Sequence, residues 1–350
     1  MYEFRWPTRT LVDRGLIELV GEHVTPSDRV RRLLLVTPQD EWAWAPSRRI
    51  EKRLREAGWE QVKLFADVEP NPSWQTVERG TDRAQTVGAS AVLAFGGGSA
   101  MDSGKVIAQR CNAAFLCTVP TTAGTGGEIS PWAVISNVET REKESVVAKW
   151  PDVALLDPEL TLSLPPETTL FTGIDAFIHG LEAYISRAAT PISDALAWQG
   201  MNLVVDNLRT AVVHGDDLSA RQAMLEGSLL TGAAMLWAGL GLMHAIGNVS
   251  GGLYHELPHG LILFRCMDAV LDFNAPLAPR LSRIEPHVWR FRDTVEALLA
   301  ELVVPDMEVA EVDLPLLVER TIVNVNAETN PRPATRDDVE KLVRQAFTIS

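Results

Sequence analysis

The chain has 350 residues, of which 46% are apolar and 22% charged, so it is long enough for two domains with cores and too apolar for a disordered tail or linker. A net charge of −14 gives a surface that repels phosphate backbones and anionic lipid, which argues against nucleic acid and membrane surfaces as partners. Three cysteines, Cys111, Cys117 and Cys266, include no CxxC pair and suit free thiols in a reducing compartment rather than a disulfide framework.

The N-terminal stretch MYEFRWPTRT carries Glu3 and Arg5 and has no apolar core, which argues against a secretory signal and predicts a cytoplasmic protein. Short apolar runs then alternate with amphipathic stretches. RRLLLVT (31–37), VKLFADV (62–68), SAVLAF (90–95), AAFLCTVP (113–120) and DVALLDP (152–158) read as strands. Helices are expected around Arg48–Glu56, near 73–87 and from Met101. This βαβα order predicts an α/β domain with a mostly parallel sheet and helices on both faces. From Pro165 onward strand signals vanish, and successive helices are expected, broken at Pro191, Gly215, Pro258, Pro276, Pro286 and Pro305. The chain therefore divides into an α/β domain over 1–160 and an all-α domain over 161–350, with the boundary near Asp157–Leu164.

Gly227–Asn248 runs without a formal charge and is long enough to span a bilayer. Its five glycines, Thr231 and the terminal His244 fit a helix buried against other helices better than a lipid-facing span.

Two glycine-rich loops follow strands of the first domain. Gly96, Gly97, Gly98 and Ser99 stand between a strand and a helix, where bare backbone N–H groups can approach a pyrophosphate, and Ser99 with Asp102 reads as a capping box. Glycine there also serves simply to turn the chain, so the loop alone is weak evidence. The next strand ends in Thr121-Thr122-Ala123-Gly124-Thr125-Gly126-Gly127-Glu128, which offers hydroxyls and bare backbone at the same sheet edge.

In the second domain Asp175 and His179 are four residues apart and share a helix face. His244 follows at the end of the small-residue helix, and His259 lies in a Pro-His-Gly turn. Any one of these histidines is more often a satisfied core residue than a ligand. Three imidazoles and a carboxylate together suit Fe2+ or Zn2+ with a coordination position open to substrate. His23, His214 and His287 sit in polar company and read as surface residues.

With these residues in place the sequence resembles the iron-containing (group III) alcohol dehydrogenases. The resemblance is carried by GGGSAMDSGK (96–105), PTTAGTGGE (120–128), DVALLDPELTLSLPP (152–166), GIDAFIHGLEAY (173–184), HAIGN (244–248), PHG (258–260) and NPRP (330–333), and runs nearly end to end. It implies a dehydroquinate synthase-like fold, a dinucleotide domain followed by a helical metal domain. It also implies Asp175, His179, His244 and His259 as metal ligands, with Gly97, Gly98, Ser99, Asp102, Thr121, Thr122, Thr125 and Thr37 about NAD(H) or NADP(H). The implied activity interconverts a small aldehyde or ketone and its alcohol by hydride transfer, the metal polarising the substrate oxygen, in a homodimer or larger homo-oligomer.

Three departures from the family's pattern stand out. Asn248 replaces a histidine that lines the substrate pocket in the family, and an amide can hydrogen-bond a substrate but cannot shuttle a proton near neutral pH. One extra residue precedes His259 and brings in His255 as a second candidate ligand. Val36-Thr37-Pro38 lacks the carboxylate that many NAD-preferring relatives place there, which permits NADP(H), while nearby Asp40 can restore a preference for NAD(H).

From Pro151 onward the only lysine is Lys341, and Arg187, Arg209, Arg221 and Arg265 read as scattered surface charges. A small neutral carbonyl compound is therefore expected rather than a phosphorylated or dicarboxylate substrate. The alternatives are a metal-dependent cyclase or lyase of the dehydroquinate synthase kind, which needs a basic pocket, and a catalytically impaired cofactor-binding homologue.

Overall fold

The computed structural model describes residues 4–25 and 31–350. Among them the chain up to Thr122 with Gly127–Ser163 forms one compact unit, and Ala123–Gly126 with Leu164–Ser350 forms a second.

The first unit runs β1 (Arg9–Val12), a single-turn α1 (Val20–His23), β2 (Arg32–Pro38), α2 (Trp44–Glu56), β3 (Gln61–Val68), α3 (Trp74–Val87), β4 (Ala91–Gly96), α4 (Gly98–Arg110), β5 (Phe115–Pro120), a hairpin of β6 (Trp132–Asn137) and β7 (Glu142–Val147), and β8 (Val153–Leu156). Six strands form one parallel sheet in the order β1-β8-β5-β4-β2-β3. Strands covered on both faces need apolar residues at every position, which is why β2 and β4 read as unbroken apolar runs. Leu33, Leu35, Leu93 and Phe95 enter one core with Ile50, Leu54 and Trp59. Leu34, Val36 and Val92 enter the other with Val77, Ala84, Val106 and Ile107. The chain steps from β2 to β3 on one side and returns to β4 on the other, so the topological switch point lies between the C-terminal ends of β2 and β4.

The second unit runs α5 (Pro166–Ile185), α6 (Pro191–Val213), α7 (Leu218–Ala238), α8 (Leu242–Leu253), α9 (His259–Asn274), α10 (Leu281–Leu299), β9 (Glu308–Val309), α11 (Leu314–Ile322), α12 (Arg336–Ala346) and β10 (Thr348–Ile349). Helix α5 buries every residue from Gly173 to Ile185 and packs against α6, α7 and α9, as a helix apolar on all sides must. Helix α6 starts in a capping box between Thr190 and Ser193, with Pro191 in its first turn, where the missing N–H costs nothing. The glycines of α7 permit close backbone approach: a Cβ on Gly232 would lie 2.6 Å from the Cα of Gly126.

Several expectations are corrected. Gly227–Asn248 is not one helix: α7 ends at Ala238 and α8 begins at Leu242, with a bend of 103° between them, so His244 opens a helix rather than closing one. Gly239 at φ +71° makes that turn. Among the described residues no single helix is long and apolar enough to cross a membrane. Pro286 lies inside α10 without ending it, and β9 pairs with β10 where no strand was expected. Strand β1 and the β6–β7 hairpin are additions to the expected elements. Arg221 is buried, donating to the Gly215 and Leu164 carbonyls and the Thr169 hydroxyl. His287 is half-buried with its ring edge-on to Trp198. The three cysteines are free thiols.

Candidate functional site

Helix α5 places Asp175 and His179 one turn apart on a buried face, the first turn of α8 supplies His244, and the first residue of α9 supplies His259. One carboxylate oxygen, Asp175 Oδ1, lies 3.3 Å from His244 Nε2 and 3.7 Å from the Nε2 atoms of both His179 and His259. Four ligands placed tetrahedrally at about 2.1 Å from one ion are roughly 3.4 Å from each other, so these separations fit a first-row divalent metal. The donor set also fits in kind, since one carboxylate and imidazole nitrogens suit Fe2+ and Zn2+ alike. The ligand atoms of Asp175, His244 and His259 all lie within 4.8 Å of one another. His179 falls outside that group of three, although its Nε2 is as close to Asp175 as that of His259, and its ring stacks on His244 with centroids 4.4 Å apart. Its Nδ1 faces the Gly124 carbonyl at 3.2 Å, the contact that leaves Nε2 as the lone-pair nitrogen.

The electrostatics follow from burial opposed by close charges. Burial disfavours the Asp175 carboxylate, but His179, His244 and His259 outweigh it and hold the group well below the usual carboxylate range. Burial pushes His179 down to about 4 against the pull of Asp175, whereas for His244 the two carboxylates Asp175 and Glu182 overcome burial and raise it to about 9.

Glu182 was not singled out from the sequence. It lies two turns after Asp175 on α5 and only 1% of it is exposed, yet its oxygens accept from His244 Nδ1 at 2.7 Å and from the backbone N–H groups of Gly241 and Met243 at 2.9 and 2.7 Å. The available signal was a third polar residue, after Asp175 and His179, on one face of an apolar helix.

Asn248 is half-buried one turn beyond His244 and, among the described residues, its amide has no hydrogen-bonded partner. His255 is exposed, outside the cluster, in the turn before Pro258, and His23 is half-buried and His214 exposed.

In the first unit α4 begins at Gly98 with Gly97 as an N-cap that has no side-chain bond, so the two leading residues carry no Cβ and leave the first N–H groups open to an anion. Gly96 has φ +144°, and a Cβ there would lie 2.9 Å from the Pro38 ring and 2.8 Å from Ala100 Cβ. The β2 end therefore flanks the loop, at the switch point of the sheet. A Cβ on Gly97 would meet Thr122 at 3.3 Å, so the bare backbone of the first loop faces a side chain of the second. These features fit the phosphates of a dinucleotide.

The side chains expected around that nucleotide are distributed unevenly. The capping box of Ser99 and Asp102 is absent: Ser99 Oγ accepts from Asn71 N at 3.2 Å, and Asp102 takes Lys105 Nζ and Val134 N, each at 2.9 Å. Asp102 is thus the partner of a wholly buried lysine, and burying that charge requires one. Thr37 is buried, its hydroxyl turned to the Pro38 carbonyl, Thr121 is buried, Thr122 is half-buried, and Thr125 belongs with the second unit.

A dehydrogenase that couples a nicotinamide nucleotide to a polarising metal needs a phosphate cradle and a nitrogen–oxygen ligand set, and the chain is of that class. Its family is equally plain. Residues 7–158 match the iron-containing alcohol dehydrogenase family and residues 169–347 match that family's C-terminal domain. The chain belongs to the iron-containing alcohol dehydrogenases. It is 34% identical to a 1-propanol dehydrogenase of Salmonella typhimurium over 81% of this chain and 85% of that protein. It is 31% identical to an NAD-dependent methanol dehydrogenase of Bacillus methanolicus, over 99% of this chain and all (100%) of that one. The crystal structure of a 1,3-propanediol oxidoreductase superposes with a TM-score of 0.89 at 30% identity, covering 99% of this chain and 100% of that chain.

Proposed function

We propose that this enzyme interconverts a small neutral aldehyde or ketone and its alcohol with NAD(H), using Fe2+ held by Asp175, His179, His244 and His259. The observation that carries the reading is the single oxygen of Asp175 met by three Nε2 atoms at separations suited to one ion. When bound, the metal supplies a Lewis acid for the substrate oxygen and the nicotinamide supplies or accepts the hydride.

The chain's own residues have distinct parts. Gly96, Gly97, Gly98, Ser99, Thr121 and Thr122 receive the nucleotide mainly through backbone, while the Thr37 hydroxyl is taken by the Pro38 carbonyl and the Asp102 carboxylate by Lys105 Nζ and Val134 N. At the ribose, Asp40 is exposed and makes no side-chain cap bond at the start of its turn, so a carboxylate near the end of β2 disfavours a 2′-phosphate and favours NAD(H) over NADP(H). Asn248 holds the substrate by hydrogen bonding without exchanging a proton. The likeness to 1-propanol, methanol and 1,3-propanediol dehydrogenases supports a short neutral alcohol. The second unit is also poor in lysine, Lys341 being the only one after Pro151, and its buried Arg221 is engaged by the Gly215 and Leu164 carbonyls. A homodimer or larger assembly in the cytoplasm completes the reading.

The test is anaerobic purification with Fe2+, then NADH and NADPH oxidation against a panel of one- to four-carbon aldehydes and ketones. Carbonyl-dependent NADH oxidation that exceeds NADPH oxidation is expected. Absence of hydride transfer to every carbonyl, with metal and nucleotide both bound, would overturn it.

A further inference from the structure

We infer that Glu182 is a positioning residue of the metal centre, fixing His244 so that its Nε2 is the nitrogen presented to the ion; this rests on the reading of Asp175 and His244 as ligands. A carboxylate with 1% exposure on an apolar helix is costly unless fully hydrogen-bonded. Glu182 meets that condition through one short segment alone. Oε2 accepts from Gly241 N at 2.9 Å and His244 Nδ1 at 2.7 Å, and Oε1 accepts from Met243 N at 2.7 Å. No lysine or arginine bonds it among the described residues.

Two consequences follow for His244. With Nδ1 engaged as a donor to Glu182, Nε2 is the nitrogen left to face an ion, and that atom is the one 3.3 Å from Asp175 Oδ1. The backbone bonds to Gly241 and Met243 also set where the first turn of α8 lies, and so where the ring is carried. Asp175 and Glu182 stand on the same helix, so α5 supplies a ligand on one side of His244 and its orienting partner on the other.

A second side chain holds the same helix start without touching the imidazole. Asn330 Oδ1 accepts from Leu242 N at 3.2 Å and pairs with Asn274. Asn330 therefore separates anchoring of α8 from orientation of His244.

The experiment measures Co2+ affinity by chelator competition, and the visible absorption of the Co2+ protein, for the wild type, E182Q and N330A. E182Q is expected to lose about 10- to 100-fold in affinity with a changed Co2+ band, the range typical when the partner of a ligating histidine is removed. N330A is expected to lower Tm while keeping Co2+ affinity within about 3-fold, a change well below that range. Wild-type affinity and spectrum in E182Q, or an equal affinity loss in N330A, would overturn the inference. If E182Q does not fold, E182D gives the same readout: its shortened carboxylate should cost at least about 5-fold in affinity, again judged against that range, and unchanged affinity overturns the inference. Failure of the wild type to bind Co2+ at all would instead overturn the metal-centre reading, and this inference with it.

Discussion

Helices α4 and α5 each open a motif dense in polar residues, and they use those residues in opposite ways. In α4 the side chains turn away from the glycine loop: Ser99 to Asn71, Asp102 to Lys105 and Val134, Lys105 to the Trp132 carbonyl. What remains for a ligand is backbone, at Gly97 and Gly98. In α5 the side chains converge, Asp175 and His179 on the cluster and Glu182 on the histidine that completes it. The proposed nucleotide end is therefore a device of backbone shape beside a buried charge pair, whereas the proposed metal end is a device of side-chain atoms. Substitutions that remove side chains should harm the second far more than the first.

The largest expected effect is that of Asp175→Ala. It deletes the oxygen shared by three imidazoles and should lower metal affinity more than about 100-fold and kcat/KM by about 1000-fold or more, since the Lewis-acid contribution is several kcal/mol. Elemental analysis and steady-state rates check this, and NADH binding by the same variant should be kept. Loss of NADH binding as well would break the contrast.

Gly96→Ala comes next, because a Cβ at φ +144° would press on Pro38 and Ala100. Strain of about 1–3 kcal/mol is expected to weaken NADH binding roughly 10-fold or more, with metal content unchanged, as calorimetry would show.

Glu128→Gln sharpens the role of buried charge in the first unit. Burial raises the Glu128 carboxyl to about 7, only partly opposed by Lys105. The folded chain thus binds its proton more tightly than the unfolded one, so the stabilisation is full below about pH 4.5 and is lost as pH rises through about 7. Chemical denaturation at pH 5 and pH 8 should show the wild type losing stability relative to E128Q, on the order of 3 kcal/mol in all. A constant difference between the two proteins would contradict the assignment.

Ser99→Ala should have the smallest effect. Its hydroxyl is tied to Asn71 N, so NADH affinity should change less than about 3-fold, within what one half-buried hydrogen bond contributes. A larger loss would mean that side chains act at the nucleotide end after all.

Much of this was legible in the sequence, and the reasons are local. Unbroken apolar runs such as Leu33–Val36 announce strands covered on both faces, and the four-residue spacing of Asp175 and His179 fixes a shared helix face. The missed features depend on distant partners. Strand β1, only four residues long and half exposed, exists because β8 offers it an edge far along the chain. Ser99 and Asp102 have the spacing of a capping box, but Asn71 and the Lys105 ammonium compete for them and win. The turn at Gly239–Gly241 is hidden inside a run with no charge to mark a helix end. Glu182 reads as an ordinary helix residue until its partner His244, 62 residues away, is seen.

The most direct test of the whole account is the metal content of anaerobically purified wild type beside His244→Ala, with nucleotide binding measured on the same samples. The account predicts about one iron or zinc ion per wild-type chain, close to none in H244A, and equal NADH affinity in both, as a single site built by side chains requires. Retention of the full metal content by H244A would contradict it, because the ion would then be held somewhere other than beside Asp175.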